Sequence, residues 1–299
     1  MRISSPIQGV LILVFVTMLW GSTFPLVQIA QRTLEPAQLI ALRFSIAALV
    51  FLPWLVKARG WRIWRDGALL GLFLFAAFVT QAIGITTVSP GRAAFITGLN
   101  VIFVPLMLPF LRRRVPLTAF IGATLAFAGI GVMSWDAGAL SFAMGDLWVL
   151  GCAITYAIYV LLLERYAIRH EPLPLTAVQL VVVGILGLVW VAPSLTRGFP
   201  FEKLDTPLLL IIAYLGVIAV SLTTWLQTIV QRVMPAFQTA VIYSLEPVFA
   251  AIFSWWWVGE GLKPQGFVGA ALILLAMIVS QIPDRTTRVI TQTLEPGSD

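Results

Sequence analysis

Ten apolar runs of about twenty residues each, separated by short polar turns, constrain this chain more than any other feature. They cover roughly 7–30, 36–56, 67–87, 91–111, 117–135, 146–165, 173–193, 207–230, 235–257 and 264–282. A helix that crosses ~30 Å of hydrocarbon needs ~20 mostly apolar residues, so each run is read as one membrane-crossing helix. The composition agrees: 60% of residues are hydrophobic and 11% charged, whereas a globular domain carries about 25% charge. That shortage of charge excludes a water-soluble surface, and with it intrinsic disorder, a coiled coil, collagen or a disulfide scaffold. The run ends are marked by charges or turn residues such as Glu35-Pro36, Arg65-Asp66, Ser89-Pro90-Gly91, Arg112-Arg113-Arg114 and Glu171-Pro172.

The net charge of +6 is an orientation signal rather than a nucleic-acid footprint, because the cations sit in short loops between apolar runs. With the N-terminus inside, 13 Lys and Arg fall in inner segments and 5 in outer ones, while Arg43 lies within a span. The expectation is therefore that both termini are cytoplasmic, in the inner membrane of a bacterium, with residues 284–299 a disordered cytoplasmic tail.

The two halves echo each other. Met18-Leu19-Trp20 and Ile154-Thr155-Tyr156 precede Pro36 and Pro172 by the same distance, an offset of 136. Thr87 to Pro90 matches Arg232 to Pro235 at offset 145, and Ala119 to Ala123 matches Gly266 to Ala270 at offset 147. Each half holds five spans, an odd number, so the copies must cross the membrane in opposite directions. The expected fold is an all-α integral membrane protein of ten transmembrane helices. Two inverted five-helix repeats, 1–139 and 140–283, build it. Many secondary transporters are made this way, with the solute near the midplane between the repeats.

Several motifs then resemble one family. They are Trp20-Gly21-Ser22-Thr23-Phe24 in the first span, Leu42-Arg43-Phe44 in the second, and Arg92 to Leu99 in the fourth. Gly145-Asp146-Leu147 opens the sixth, and Leu245-Glu246-Pro247-Val248-Phe249 with Gly259-Glu260 mark the ninth. Over about residues 7–282 the chain resembles ten-helix transporters of the drug/metabolite transporter superfamily, EamA type. It departs at Leu111-Arg112-Arg113-Arg114, where that family often shows a Gly-Glu pair. The resemblance implies export of small metabolites, amino acids or drugs, often by proton antiport.

Glu246 is the sharpest candidate for chemistry. It lies at the centre of the ninth span, where a charge costs ~2.5–3.5 kcal/mol on insertion scales, and it could bind and release a proton or contact solute. A protonated carboxyl bonded to a neighbouring helix is the alternative. Asn100 occupies the centre of the fourth span, 146 residues before Glu246, which suits a site on the pseudo-two-fold axis or an interhelical contact. Arg43, about ten ångströms below the outer surface at 1.5 Å per residue, could snorkel outward, attract a carboxylate or pair with Glu246. Gln81 and Gln227 nearly coincide under the repeat, and with Thr97 they offer neutral hydrogen bonds to a small zwitterion. Trp20, Tyr156 and Tyr243 are aromatics inside spans, where their polar tips need partners. For gates and hinges, Arg92 near the outer interface and the span-interrupting Pro25, Pro105 and Pro247 are the candidates. The fifth and tenth spans have almost no polar residues in their central turns and are expected at the periphery.

No ATP-binding G-x-x-x-x-G-K-[ST] motif is present, so the leading expectation is a secondary transporter working by alternating access. Its partners are a small-molecule substrate, the lipid bilayer and protons as the candidate coupling ion, with no nucleic acid, as a monomer or homodimer. No cofactor or metal is expected: Cys152 and His170 are each the sole residue of their type. An integral-membrane enzyme acting on a lipid-like substrate is the alternative, but no pair of carboxylates converges in the spans. A channel or uncoupled facilitator is the other alternative.

Overall fold

Prolines start most of the helices, at the first-turn position where a missing N–H costs nothing. The structure, a computed structural model, describes residues 5–133, 143–195, 202, 204–258, 264–280 and 282. Pro6 opens α1 (Pro6–Ala30), with the Ser5 side chain accepting from Gln8 N, and Pro36 opens α2 (Pro36–Phe51) behind a Glu35–Gln38 capping box. After a short 3₁₀ turn, Gly60 takes φ +86° and releases α3 (Trp61–Ile85). This helix starts six residues before the apolar run at 67, because Trp61 to Asp66 form one further amphipathic turn and a half. The remaining rods are α4, in two halves Pro90–Gly98 and Asn100–Met107; α5 (Leu117–Met133); α6 (Met144–Ala167); and α7 (Pro172–Leu195). Then follow α8 (Thr206–Val230), α9 in two halves Ala236–Tyr243 and Glu246–Val258, and α10 (Pro264–Ser280).

Among the described residues there is no strand, and eight helices are long and apolar enough to cross a bilayer; Leu117–Val132 and Pro264–Ser280 are shorter apolar helices. The Gly259-Glu260 motif and the 284–299 tail lie outside the described residues. Threonines within the helices return their hydroxyls to the carbonyl four residues back, as in Thr17 to Leu13 O at 2.7 Å and Thr228 to Thr224 O at 2.7 Å. That satisfies the hydroxyl where no water is available.

Short connections make successive helices antiparallel, and ion pairs mark one end. Arg113 pairs with Glu164 at 2.6 Å, and buried Asp66 accepts from Arg65 and meets His170 Nε2 at 2.8 Å. Lys57, Arg59, Arg62, Arg112, Arg114, Arg165 and Arg169 lie at this same end, the basic face.

Small residues decide which helices touch. Gly67 and Gly71 seat α3 on α7, where an added Cβ at Gly71 would lie 2.8 Å from Val182 Cβ and 2.9 Å from Gln179 O. At the other end of α3, Gly84 and Gly145 face each other, each Cβ position within 3 Å of the opposite carbonyl oxygen. Gly184 and Gly187 set α7 against α2. The first-half helices α2 and α3 thus pack directly on second-half helices α6, α7 and α8. In contrast, α5 and α10 pack chiefly on each other and leave Phe120, Phe127, Phe267, Leu274 and Ile278 exposed. The peripheral position follows from their lack of polar groups.

Candidate functional site

Both α4 and α9 break near their middles, α4 at Leu99 and α9 at Ser244-Leu245. The second halves begin at Asn100 and at Glu246, the pair related by the repeat. Pro247 gives one physical cause, since it has no N–H to continue the ladder. The breaks lie close together: a Cβ on Gly98 would sit 3.5 Å from Pro247 Cγ. Gly21 lets α1 approach the second half of α9, a Cβ there falling 2.8 Å from Ala250 N, and this brings Trp20 beside Glu246. Arg43 is set by α8, whose Gly216 would place a Cβ 2.8 Å from the Arg43 carbonyl oxygen.

Gly216 belongs to a π-helical stretch, Tyr214–Leu222. Such stretches widen the turn and free carbonyls, and they are frequent at functional sites. The Trp20 indole N–H uses one, donating to Ala219 O at 3.1 Å and to Thr223 Oγ1 at 3.0 Å. Ser22 Oγ meets the Tyr214 hydroxyl at 2.7 Å. Trp20 is thereby locked in orientation, with Tyr243 and Tyr156 rings edge-on at 4.9 and 5.8 Å between centroids.

A cavity of about 30 Å³ lies here, lined by Trp20, Thr23, Arg43, Ala77, Phe78, Gln81, Thr97, Cys152, Tyr156 and Glu246. At about 10–15 Å³ per water it holds roughly two waters, so a metabolite needs the walls to part. Arg43 is buried, its guanidinium 4.6 Å from the Phe78 ring centroid and 5.4 Å from that of Phe44. Its Nε has no hydrogen-bond partner. Among the described residues neither Arg43 nor Glu246 forms an ion pair, with each other or with any other group. One cavity therefore presents an uncompensated guanidinium, a carboxyl, amide and hydroxyl groups, and three aromatic rings. That set can hold a carboxylate, an ammonium and an apolar body at once.

Of the residues singled out from sequence, Trp20, Arg43, Gln81, Thr97, Tyr156 and Glu246 line this cavity, and Asn100, Gln227 and Tyr243 do not. Gln227 Nε2 donates to the Tyr156 hydroxyl at 3.1 Å, and Tyr243 is fully buried against Trp20. Asn100 is 1% exposed, and neither its amide nitrogen nor its oxygen has a partner. Arg43 neither snorkels nor pairs with Glu246. Thr23, Ala77, Phe78 and Cys152 line the cavity without having been singled out. Helical spacing carries their signal: Thr23 follows Trp20 by three, Cys152 precedes Tyr156 by four, and Ala77 precedes Gln81 by four.

Arg92 makes a two-pronged contact with buried Asp146, Nε to Oδ1 at 2.8 Å and Nη2 to Oδ2 at 2.7 Å. It ties the start of α4 to the start of α6, one and a half turns beyond Thr97 and Cys152 on the side away from the basic face. Pro25 and Pro105 sit inside α1 and the second half of α4.

Residues 7–135 and 143–281 each match the EamA-like transporter family. An uncharacterized transporter of Archaeoglobus fulgidus is 32% identical over 268 residues, covering 89% of this chain and 83% of its own. A protein of Streptantibioticus cattleyicolor, named a probable terminal-alkyne amino-acid exporter, is 25% identical over 273 residues, 89% of this chain and 90% of its own. A solved crystal structure superposes with a TM-score of 0.74 at 20% identity, over 98% of this chain and 100% of that one, which shows a shared fold.

Proposed function

The chain belongs to the EamA-like transporter family, multi-pass membrane proteins that carry small molecules rather than transform them, and from that premise we propose that it exports small zwitterionic metabolites of the amino-acid type. All ten rods cross the membrane, with both termini and the basic face in the cytoplasm. The observation that carries the reading is the presence of Arg43 and Glu246, neither in an ion pair, in one small cavity beside Trp20 and Tyr156. The guanidinium takes the solute carboxylate, Glu246 and the rings take the ammonium, and the apolar wall of Ala77, Phe78 and Cys152 takes the side chain.

Glu246 also serves as the proton-coupling group. It heads a half-helix at the α9 break, so solute and proton meet the same carboxyl and compete for it, which is the requirement of antiport. Pro247, with Pro105 and Pro25, supplies the joints about which half-helices tilt. On this reading the Arg92–Asp146 ion pair is a latch on the outer side of the cavity. The relative named a probable terminal-alkyne amino-acid exporter supports the solute class.

The test is flux of radiolabelled neutral amino acids into proteoliposomes with and without an imposed pH gradient, for the native chain and Glu246→Gln. Saturable flux that the gradient accelerates only in the native chain supports the reading. Gradient-stimulated flux that survives Glu246→Gln removes Glu246 from coupling, and an absence of flux for every zwitterion rejects the solute class.

A further inference from the structure

The repeat relation can be applied to the cavity itself. An offset of 136 takes Trp20 to Tyr156, Thr23 to Tyr159 and Arg43 to Gln179; the offset of 145 takes Gln81 and Thr97 to within one residue of Gln227 and Tyr243, and 146 takes Asn100 to Glu246. Under the pseudo-two-fold, the cavity lining generates a second set: Tyr156, Tyr159, Gln179, Gln227, Tyr243 and Asn100.

Tyr159, Gln179, Gln227 and Tyr243 of this set lie toward the basic face around Tyr156, which also lines the cavity, and Asn100 lies at the α4 break. Arg43 and Thr97 lie seven residues into α2 and α4, which start away from the basic face. Gln179 and Tyr243 lie seven residues into α7 and α9, which start at it. The Tyr159 hydroxyl donates to Gln179 Oε1 at 2.9 Å, Gln227 Nε2 donates to the Tyr156 hydroxyl, and the Tyr156 ring lies tilted against those of Tyr159 and Tyr243, with centroids 5.5 and 6.1 Å away. Where the first set encloses space, the second is closed by its own tyrosines. It is not a finished core, however. Asn100, buried with both amide atoms unpartnered, leaves a donor and an acceptor unspent, and an unmet buried amide is rare enough to need a reason.

We propose that this cluster is the carrier's second half-site: an uncharged, amide- and phenol-lined site for the same zwitterion, connected to solvent at the basic face once the tyrosines part. It rests on the reading of the Arg43–Glu246 cavity as the solute site. The twin has lost both charges, Arg43 becoming Gln179 and Glu246 becoming Asn100. A solute carboxylate therefore meets a guanidinium only when approached from the outer side, and a neutral amide from the basic face. Charge-assisted hydrogen bonds are about twice as strong as neutral ones, so the two faces differ in affinity for one and the same solute.

Thiol labelling tests this, because Cys152 is the sole cysteine. In sealed vesicles of each orientation, a membrane-impermeant maleimide should reach native Cys152 only from the outer side. On a Cys152→Ser background, the thiol of Gln179→Cys, and independently that of Asn100→Cys, should react only from the basic face. A millimolar mixture of neutral L-amino acids should slow each reaction. Adding Arg43→Gln should raise the concentration for half-protection of Cys152 about tenfold and leave that of the Gln179→Cys thiol unchanged. Protection of Cys152 with no labelling of either introduced thiol from the basic face overturns the half-site and leaves the cavity reading standing. An equal effect of Arg43→Gln on both thiols does the same. Absence of protection at Cys152 overturns the cavity reading, and the half-site falls with it.

Discussion

Breaking the Arg92–Asp146 pair should open the cavity on the side away from the basic face, and its strength can be worked from the geometry. Arg92 donates twice to one carboxylate, at 2.8 and 2.7 Å, with the Asp146 side chain 6% and the Arg92 side chain 32% exposed. An exposed pair is worth 0.2–1 kcal/mol, and hydrogen bonds to charged groups about 1.5–3 kcal/mol. A half-screened, two-pronged contact falls in the lower half of the second range, at about 2 kcal/mol. Asp146 Oδ2 also accepts from Ala143 N at 2.7 Å, so Arg92→Ala leaves the carboxylate one donor and the fold intact. If the pair is made only in the closed state, its loss raises the open-to-closed ratio by roughly thirtyfold, at 1.4 kcal/mol per tenfold. Cys152 is 3% exposed and reacts with an impermeant maleimide only through openings. Its labelling rate in Arg92→Ala and in Asp146→Asn should each rise by about that factor, and the double variant should rise no further. Native rates in both single variants, or a double variant whose factor is the product of the two, would refute a latch made of this pair.

Trp20→Phe keeps the ring packing and removes one N–H. Because Thr223 Oγ1 still donates to Ala219 O at 2.6 Å, the cost should be about 1 kcal/mol, seen as a thermal midpoint only a few degrees lower in detergent. Trp20→Ala should cost about 3 kcal/mol or more, and equal shifts for the two would show that the indole N–H is not what orients the ring. Gly71→Ala should destabilise by about 1–3 kcal/mol, because the new Cβ meets Gln179 O and Val182; Gly91→Ala, with nothing within 4 Å, is the matched control and should melt like the native chain. Asp66→Asn, which takes the carboxylate from half-buried His170 at the basic face, should cost about 2 kcal/mol in urea or thermal unfolding, whereas Arg65→Ala should be close to neutral because Arg65 is half in solvent.

Where the helices lie was legible from run length, because a bilayer of fixed thickness and an N1 proline both write themselves into local sequence. Pro36, Pro90, Pro172 and Pro264 mark four helix starts without any tertiary information. The pairing of Asn100 with Glu246 was legible from the repeat offset, and both turn out to head half-helices. Trp20, Arg43, Gln81, Thr97, Tyr156 and Glu246 were legible as polar or aromatic groups where hydrocarbon forbids idle ones. Their twins Gln227, Tyr243 and Asn100 satisfy the same criterion, and sequence treats the two sets alike.

Only the packing separates them. Whether a mid-span amide lines a cavity or closes one depends on helix tilt, and tilt is set by contacts such as Gly21 against Ala250 and Gly216 against Arg43 O, between residues more than 170 positions apart. The partner of Arg92, the freedom of Arg43 and the lock on Trp20 were decided in the same way. The two halves place like residues at like positions; which of them line a cavity is decided by packing, because helix tilt is not written in either half alone.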